Sequence, residues 1–223
     1  MRAYLQASLA TMFQYRGEIV LWAVWGVVYP AVAMAMWSAA VSGADGDIQG
    51  MDGRDFAAYF LLTMVVGHVS SAWDIFEMGY QVRTGAMSPR LLQPLLPVWS
   101  ALADNLAYKV LTLTLLIPIW LWTAWLVEPR FTAGPGTLVL GVVATVLAAA
   151  VHFVWQYNVG MTAFWITRTE AVAEMWWGSN LLFGGRIAPI GIMPLPLQWL
   201  AALLPFQWVI WFPSATLAGQ LET

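Results

Sequence analysis

The sequence predicts an all-α polytopic membrane protein, and three observations carry that class. Of 223 residues, 61% are hydrophobic and only 9% are charged, where a soluble domain carries about a quarter charged. The mean hydropathy is +0.70. Fifteen tryptophans suit a chain that meets the membrane–water interface repeatedly, because indole rings settle there. Zero cysteines exclude disulfides, thiolate metal sites and cysteine nucleophiles together. A net charge of −3 is too small to point to nucleic acid. Arg2 is followed by a mixed segment with no short apolar region and small-residue cleavage site, so the first apolar span is expected to act as an uncleaved anchor.

Residues 2–18 read as an interfacial amphipathic helix, with Leu5, Leu9, Met12 and Phe13 at helical spacing and Arg2, Gln6, Gln14 and Arg16 elsewhere. A first span follows at 19–41, with Pro30 as an expected kink. The glycine- and aspartate-rich "SGADGDIQGMDGRDF" is an aqueous loop. Span two is expected at 56–78 and span three at 101–127. The core of span three, "VLTLTLLIPIWLWTAWLV", holds no charge over 18 residues, enough to cross ~30 Å of hydrocarbon. After the turn "EPRFTAGPG" comes span four at 137–167, and after "RTEAVAE" comes span five at 171–183. From 184 to 213 the apolar pieces are punctuated by prolines and too short to cross singly. Irregular backbone survives at membrane depth only under protein or water cover, which predicts a re-entrant hairpin.

Positive charge sets the orientation. With the N-terminus in the cytoplasm, the inner segments carry Arg2, Arg16, Arg83, Arg90 and Arg168, with Lys109 near the inner face. The outer ones carry Arg54, Arg130 and Arg186 beside a loop of four aspartates. This predicts a multi-pass protein of a bacterial cytoplasmic (inner) membrane, its N-terminus and the 82–99 segment inside. Five spans leave the C-terminus outside.

Two stretches then suggest a family. "VRTGAMSPRLLQPLLPVWSALADNL" has Arg-x-Gly, a short leucine helix and spaced prolines, and "APIGIMPLPLQWLAALLPFQWVIWFPSATLAG" is a proline-punctuated hairpin with Leu-Pro-Phe. Both resemble the permease subunit of type-2 ABC exporters, most closely bacterial permeases that work as unlike pairs. The resemblance implies an ATP-driven exporter in which this chain forms half the path. It also implies a second permease, identical or more often a paralogue, and separate nucleotide-binding ATPase subunits. No G-x-x-x-x-G-K-[ST] stretch occurs, so no phosphate-cradling loop is present. The chain is therefore expected to be non-catalytic and to carry no cofactor, with ATP and Mg bound by the partner. Family members normally end with a sixth span and a basic tail; this sequence stops at "GQLET", so five spans and a hairpin are expected within these residues.

Within 82–99, Ser88 and Pro89 fit an N-cap and a first helical position. The helix would run through Arg90, Leu91, Leu92 and Gln93 until Pro94 and Pro97 break it. With Arg83 and Gly85 this makes a stiff peg. The bland reading is an interfacial loop whose arginines meet lipid phosphates; the resemblance implies a helix that couples to the ATPase. Asp74 and Glu77 share a helix face, and His68 lies deeper. They are candidates for a translocation path or gate, or else they pair with Arg83 or Lys109 or bond a neighbouring helix. His152 and Gln156 share a face of span four and serve either interhelical bonding or cavity lining. Arg186 either snorkels to headgroups or forms part of an outer gate. Glu170 and Glu174 suit a helix N-terminus. Trp99, Trp120, Trp122 and Trp125 are expected as belt anchors that meet membrane lipids. The apolar lining favours an amphipathic or hydrophobic cargo. A reading from another class makes the chain a scaffold or enzyme subunit with His68, Asp74 and Glu77 as a proton or metal site.

Overall fold

The computed structural model describes residues 2–14, 16–44, 46–166 and 169–221. Asp45, Thr167 and Arg168 lie outside the described residues, as do the side chains of Arg2 and Arg16, so the charges they lend to the topology are not described. The chain is helical, with no strand among the described residues beyond one isolated pairing of Ile48 with Met51. Its helices are α1 (Arg2–Gln14), α2 (Arg16–Gly43), α3 (Gly53–Val69), α4 (Asp74–Thr84), α5 (Met87–Leu91) and α6 (Pro97–Val127). They continue with α7 (Pro135–Gly160), α8 (Glu170–Phe183), α9 (Leu195–Leu203), α10 (Phe206–Val209) and α11 (Trp211–Ala218).

Among the described residues, four segments are long and apolar enough to span a membrane: Val20–Gly43, Gly53–Thr84, Pro97–Val127 and Pro135–Phe164. The expected fifth span, 171–183, coincides with α8, whose 14 residues cover about 21 Å at 1.5 Å per residue, less than the ~30 Å core. Irregular chain continues from it. At one end Arg83 pairs with Glu170. Further along, Tyr59 Oη donates to Gly185 O at 2.6 Å and Trp37 Nε1 to Ile187 O at 2.7 Å. These two carbonyls, freed from a helix, each find a side-chain donor, as backbone at that depth requires.

The core is built around α3, whose sequence is apolar on every side, the pattern of a helix enclosed by protein. Phe56, Tyr59, Phe60 and Met64 are fully buried against Trp37, Leu116, Trp120 and Ala215. Trp37 stacks on Phe56 with ring centroids 5.1 Å apart. Lipid tails are as apolar as leucine, so close packing and hydrogen bonds, not water exclusion, hold this helix in place. The outward faces of α2, α6 and α7 expose Leu21, Trp25, Leu121, Trp125, Val139 and Val146, as lipid-facing surfaces do. Trp120, expected at the belt, instead lies inside, its ring against His68.

The loop 44–52 and the turn 128–134 meet at one end of the bundle, here the loop end. Asp52 accepts from the N–H groups of Arg54 and Asp55, and Asp55 Oδ2 accepts from Asp52 N at 3.0 Å, a complete capping box for α3. Arg130 pairs with Asp52 and Asp55, and Arg54 with Glu128. The opposite end carries α5 and is called the peg end. The hairpin runs further than expected. From Ile192, whose carbonyl accepts from Gln49, α9 leads inward to Phe206, whose ring meets Trp176 at 4.6 Å. α10 and α11 then return to the loop end, where Thr132 donates to Gly219 O and Gln220 Nε2 to Asp55 O. At the N-terminus residues 2–14 of the expected 2–18 helix are helical, as are the residues from Arg16 onward, and Tyr15 between them lies outside the described residues.

Candidate functional site

The second crossing is interrupted at Ser70–Trp73, between α3 and α4. The stretch "GHVSSAWD" holds no proline, and its glycine and serines are the local features that accord with a kink. Two carbonyls released by the break are captured by neighbouring helices. His152 Nδ1 lies 2.6 Å from Ser70 O, and Asn105 Nδ2 donates to Ser71 O at 3.1 Å. A carbonyl only accepts, so His152 carries its proton on Nδ1 and its Nε2 accepts from Gln156 Nε2 at 3.2 Å. Thr112 Oγ1 donates to Tyr108 O at 2.7 Å and therefore accepts from His68 Nε2 at 2.8 Å. His68, His152 and Gln156 are all buried and bonded within the chain. They brace the break.

α4 is pressed against α7 at a glycine. A Cβ on Gly160 would stand 2.9 Å from Asp74 O and 3.1 Å from Met78 Cβ, so only glycine permits this approach. Asp74 and Glu77 face a cavity of about 460 Å³ shared with α1, α5 and α6. Neither pairs with Arg83 or Lys109 as the sequence suggests. Arg83 is taken by Glu170, Glu77 accepts from Gln81 Nε2 at 2.5 Å, and Lys109 donates to Asn105. Among the described residues no group of three His, Asp or Glu side chains is placed to hold a metal ion.

α4 ends at Gly85, whose φ of 78° is the left-handed conformation that glycine adopts without strain. The peg follows at once, and here the cap is a correction. The helix begins at Met87 with Ala86 before it and no side-chain cap, so Ser88 and Pro89 sit inside the first turn. The tight turn, in which Ser88 N donates to Gly85 O at 3.1 Å, starts the helix two residues before the expected Pro89. Met87 is buried with Met78 and Ala163 and pins the peg to α4. Leu91 and Leu92 point away; Leu92 is 88% exposed. Pro94 lies in the turn after the helix, and Pro97, expected to break structure, opens α6 at its first position. α1 crosses beside the peg, with Tyr4 Oη donating to Gln93 Oε1 at 2.7 Å and Ser8 Oγ to Asp104 Oδ1 at 2.5 Å.

A family model described as ABC-2 family transporter protein matches residues 44–223, more than half of the chain. The chain belongs to the ABC-2 transporter family. It is thus a multi-pass membrane permease subunit of an ABC-type transporter. No curated protein and no solved structure matches it.

In this ABC-2 permease the sequence-derived candidates fall into three groups. Arg83, Gly85, Ser88, Pro89, Arg90, Leu91, Leu92 and Pro94 form one ordered feature at the peg end. His68, His152 and Gln156 gather around the break, while Asp74 and Glu77 line the cavity. Arg186 stands apart. Its Nε donates to Asn180 Oδ1 at 3.0 Å and its guanidinium lies 6.0 Å from the Trp177 ring centre. Among the described residues it pairs with no carboxylate. Sequence reasoning passes over Asp104, Asn105 and Thr112, because their partners Ser8, Ser71 and His68 lie 96, 34 and 44 residues away. No local pattern announces such pairs.

Proposed function

We propose that this chain forms half of the translocation pathway of an ATP-driven exporter for an amphipathic or hydrophobic substrate, and that residues 83–94 are its grip for a separate ATPase subunit. One observation carries the reading: Leu91 and Leu92 stand exposed at the C-terminal end of a five-residue helix, one its last residue and the other its cap, and the helix base is pinned by a buried methionine. An exposed apolar knob on a fixed base suits a groove in a partner. ATP and Mg would be bound by that partner, and a second permease, a paralogue, would complete the path. In this arrangement the peg end faces the cytoplasm of a bacterium and the chain sits in the inner membrane.

The motion would pass from the peg through α4, which is continuous with it, towards the break at residues 70–73. Arg186, lacking a carboxylate partner, suits a gate that meets an acidic group of the second permease or an anionic part of the cargo. Replacing Leu91 and Leu92 by aspartate tests the grip. Co-purification of the ATPase with the permease is expected to be lost; an intact complex would show that the peg is an ordinary interfacial loop.

A further inference from the structure

The cavity of about 460 Å³ lies between α1, α4, α5 and the start of α6, with Tyr157 of α7 on its wall. Three carboxylates line it: Asp74, Glu77 and Asp104. Among the described side chains two cations stand near them: Arg90 is part of the wall, and Lys109 is bonded to the lining residue Asn105. Among the described residues none of the three carboxylates is in an ion pair.

The carboxylates are not equally satisfied. Asp104 accepts from Ser8 and Glu77 from Gln81. Asp74 is only 7% exposed, and its buried Oδ2 has no hydrogen-bond partner. Its place in the first turn of α4 favours a negative charge, but that leaves the oxygen without a donor, and a buried acceptor left so costs about 1–3 kcal/mol or more. The same cavity is walled on other sides by Met12, Met78 and Met87, side chains that adapt to apolar groups of varied shape.

We propose that this cavity binds an organic primary ammonium carrying an apolar chain, with an N–H of the ammonium donating to Asp74 and α1 covering the site. An ammonium offers three donors and no acceptor, which matches a pocket of carboxylates. A quaternary ammonium has the charge but no N–H to give. The source is either the amine headgroup of a membrane lipid, whose phosphate would then meet Arg90, or a free amphipathic amine. Because the cavity joins α1, α4 and the peg, its occupant would hold those three elements together. The binding itself does not depend on the peg gripping an ATPase.

The full-length protein in detergent micelles, titrated by native mass spectrometry, tests this with three probes: phosphatidylethanolamine, phosphatidylcholine and dodecylamine. Phosphatidylethanolamine, dodecylamine or both are expected to be retained about tenfold or more over phosphatidylcholine. Phosphatidylethanolamine alone identifies the lipid source, and dodecylamine a free amine. Asp74→Asn is expected to abolish the preference. Ala7→Trp, which fills the cavity from α1 and leaves every carboxylate in place, should do the same, and it serves if Asp74→Asn does not fold. Equal retention of phosphatidylethanolamine, phosphatidylcholine and dodecylamine by the unaltered protein would overturn the site. So would a preference that survives in the folded variants.

Discussion

The two ends of the bundle differ in how completely they satisfy themselves. At the loop end the cap of α3, three arginine–carboxylate contacts and the return of α11 close the polar groups on one another. At the peg end Leu91 and Leu92 stand in the open, a carboxylate oxygen of Asp74 has no donor, and a cavity separates α1 from α4. Both ends are built from the same kinds of residue. The difference teaches that the loop end is complete as a single chain, while the peg end has the form of a surface that something else finishes.

Substitutions can break or sharpen that contrast. The largest effect is expected for Leu91→Asp with Leu92→Asp, which should eliminate ATPase association. The thermal midpoint of the isolated permease should hardly move, because exposed positions usually change stability by about 0.5 kcal/mol or less. A large drop in midpoint would mean that the peg is part of the core after all. Gly160→Val comes next. The added side chain meets Asp74 O and Met78, and overpacking of this kind costs about 1–3 kcal/mol, read as a lowered midpoint in detergent. An unchanged midpoint would show that α4 is free to move off α7.

His152→Ala is expected to fall in the same range or slightly below. It strips the donor from Ser70 O and leaves Gln156 unmatched, and a buried unsatisfied carbonyl costs about 1–3 kcal/mol. His152→Asn, which keeps a donor, should recover part of the loss, and failure to do so would assign the effect to packing. The smallest effects belong to the loop end. Asp52→Ala removes the cap of α3 and should cost about 1 kcal/mol. Arg54→Ala breaks an exposed ion pair, and such pairs contribute about 1 kcal/mol or less. Should Arg54→Ala prove as damaging as His152→Ala, the loop end would not be the redundant, self-closed structure described.

The all-α membrane class is legible because hydropathy acts locally: a run such as 110–127 is uncharged and mostly apolar over its whole length, whatever its neighbours do. The proline-bounded peg is legible for the same reason, since Pro94 and Pro97 restrict their own and the preceding residue. Its first residue is not, because the start at Met87 is set by the left-handed turn at Gly85. The break at Ser70–Trp73 leaves only the weak local trace of its serine pair, as its stability comes from His152 and Asn105 on other helices. Trp120 reads as a belt residue by position along α6, yet it turns inward to His68. The Asp74–Glu77 face is visible in the spacing. That α1 and Asp104 complete a cavity around it depends on contacts between residues 96 apart.

The shortness of α8 has a consequence for how the protein is made. A segment of 14 residues is below the ~20 that a helix needs to enter a bilayer by itself, and the carbonyls of Gly185 and Ile187 are satisfied only by Tyr59 and Trp37. Neither donor is in place until α2 and α3 have packed. The last quarter of the chain is therefore expected to settle on a bundle already standing in the membrane, with the earlier crossings as the template for the final segments.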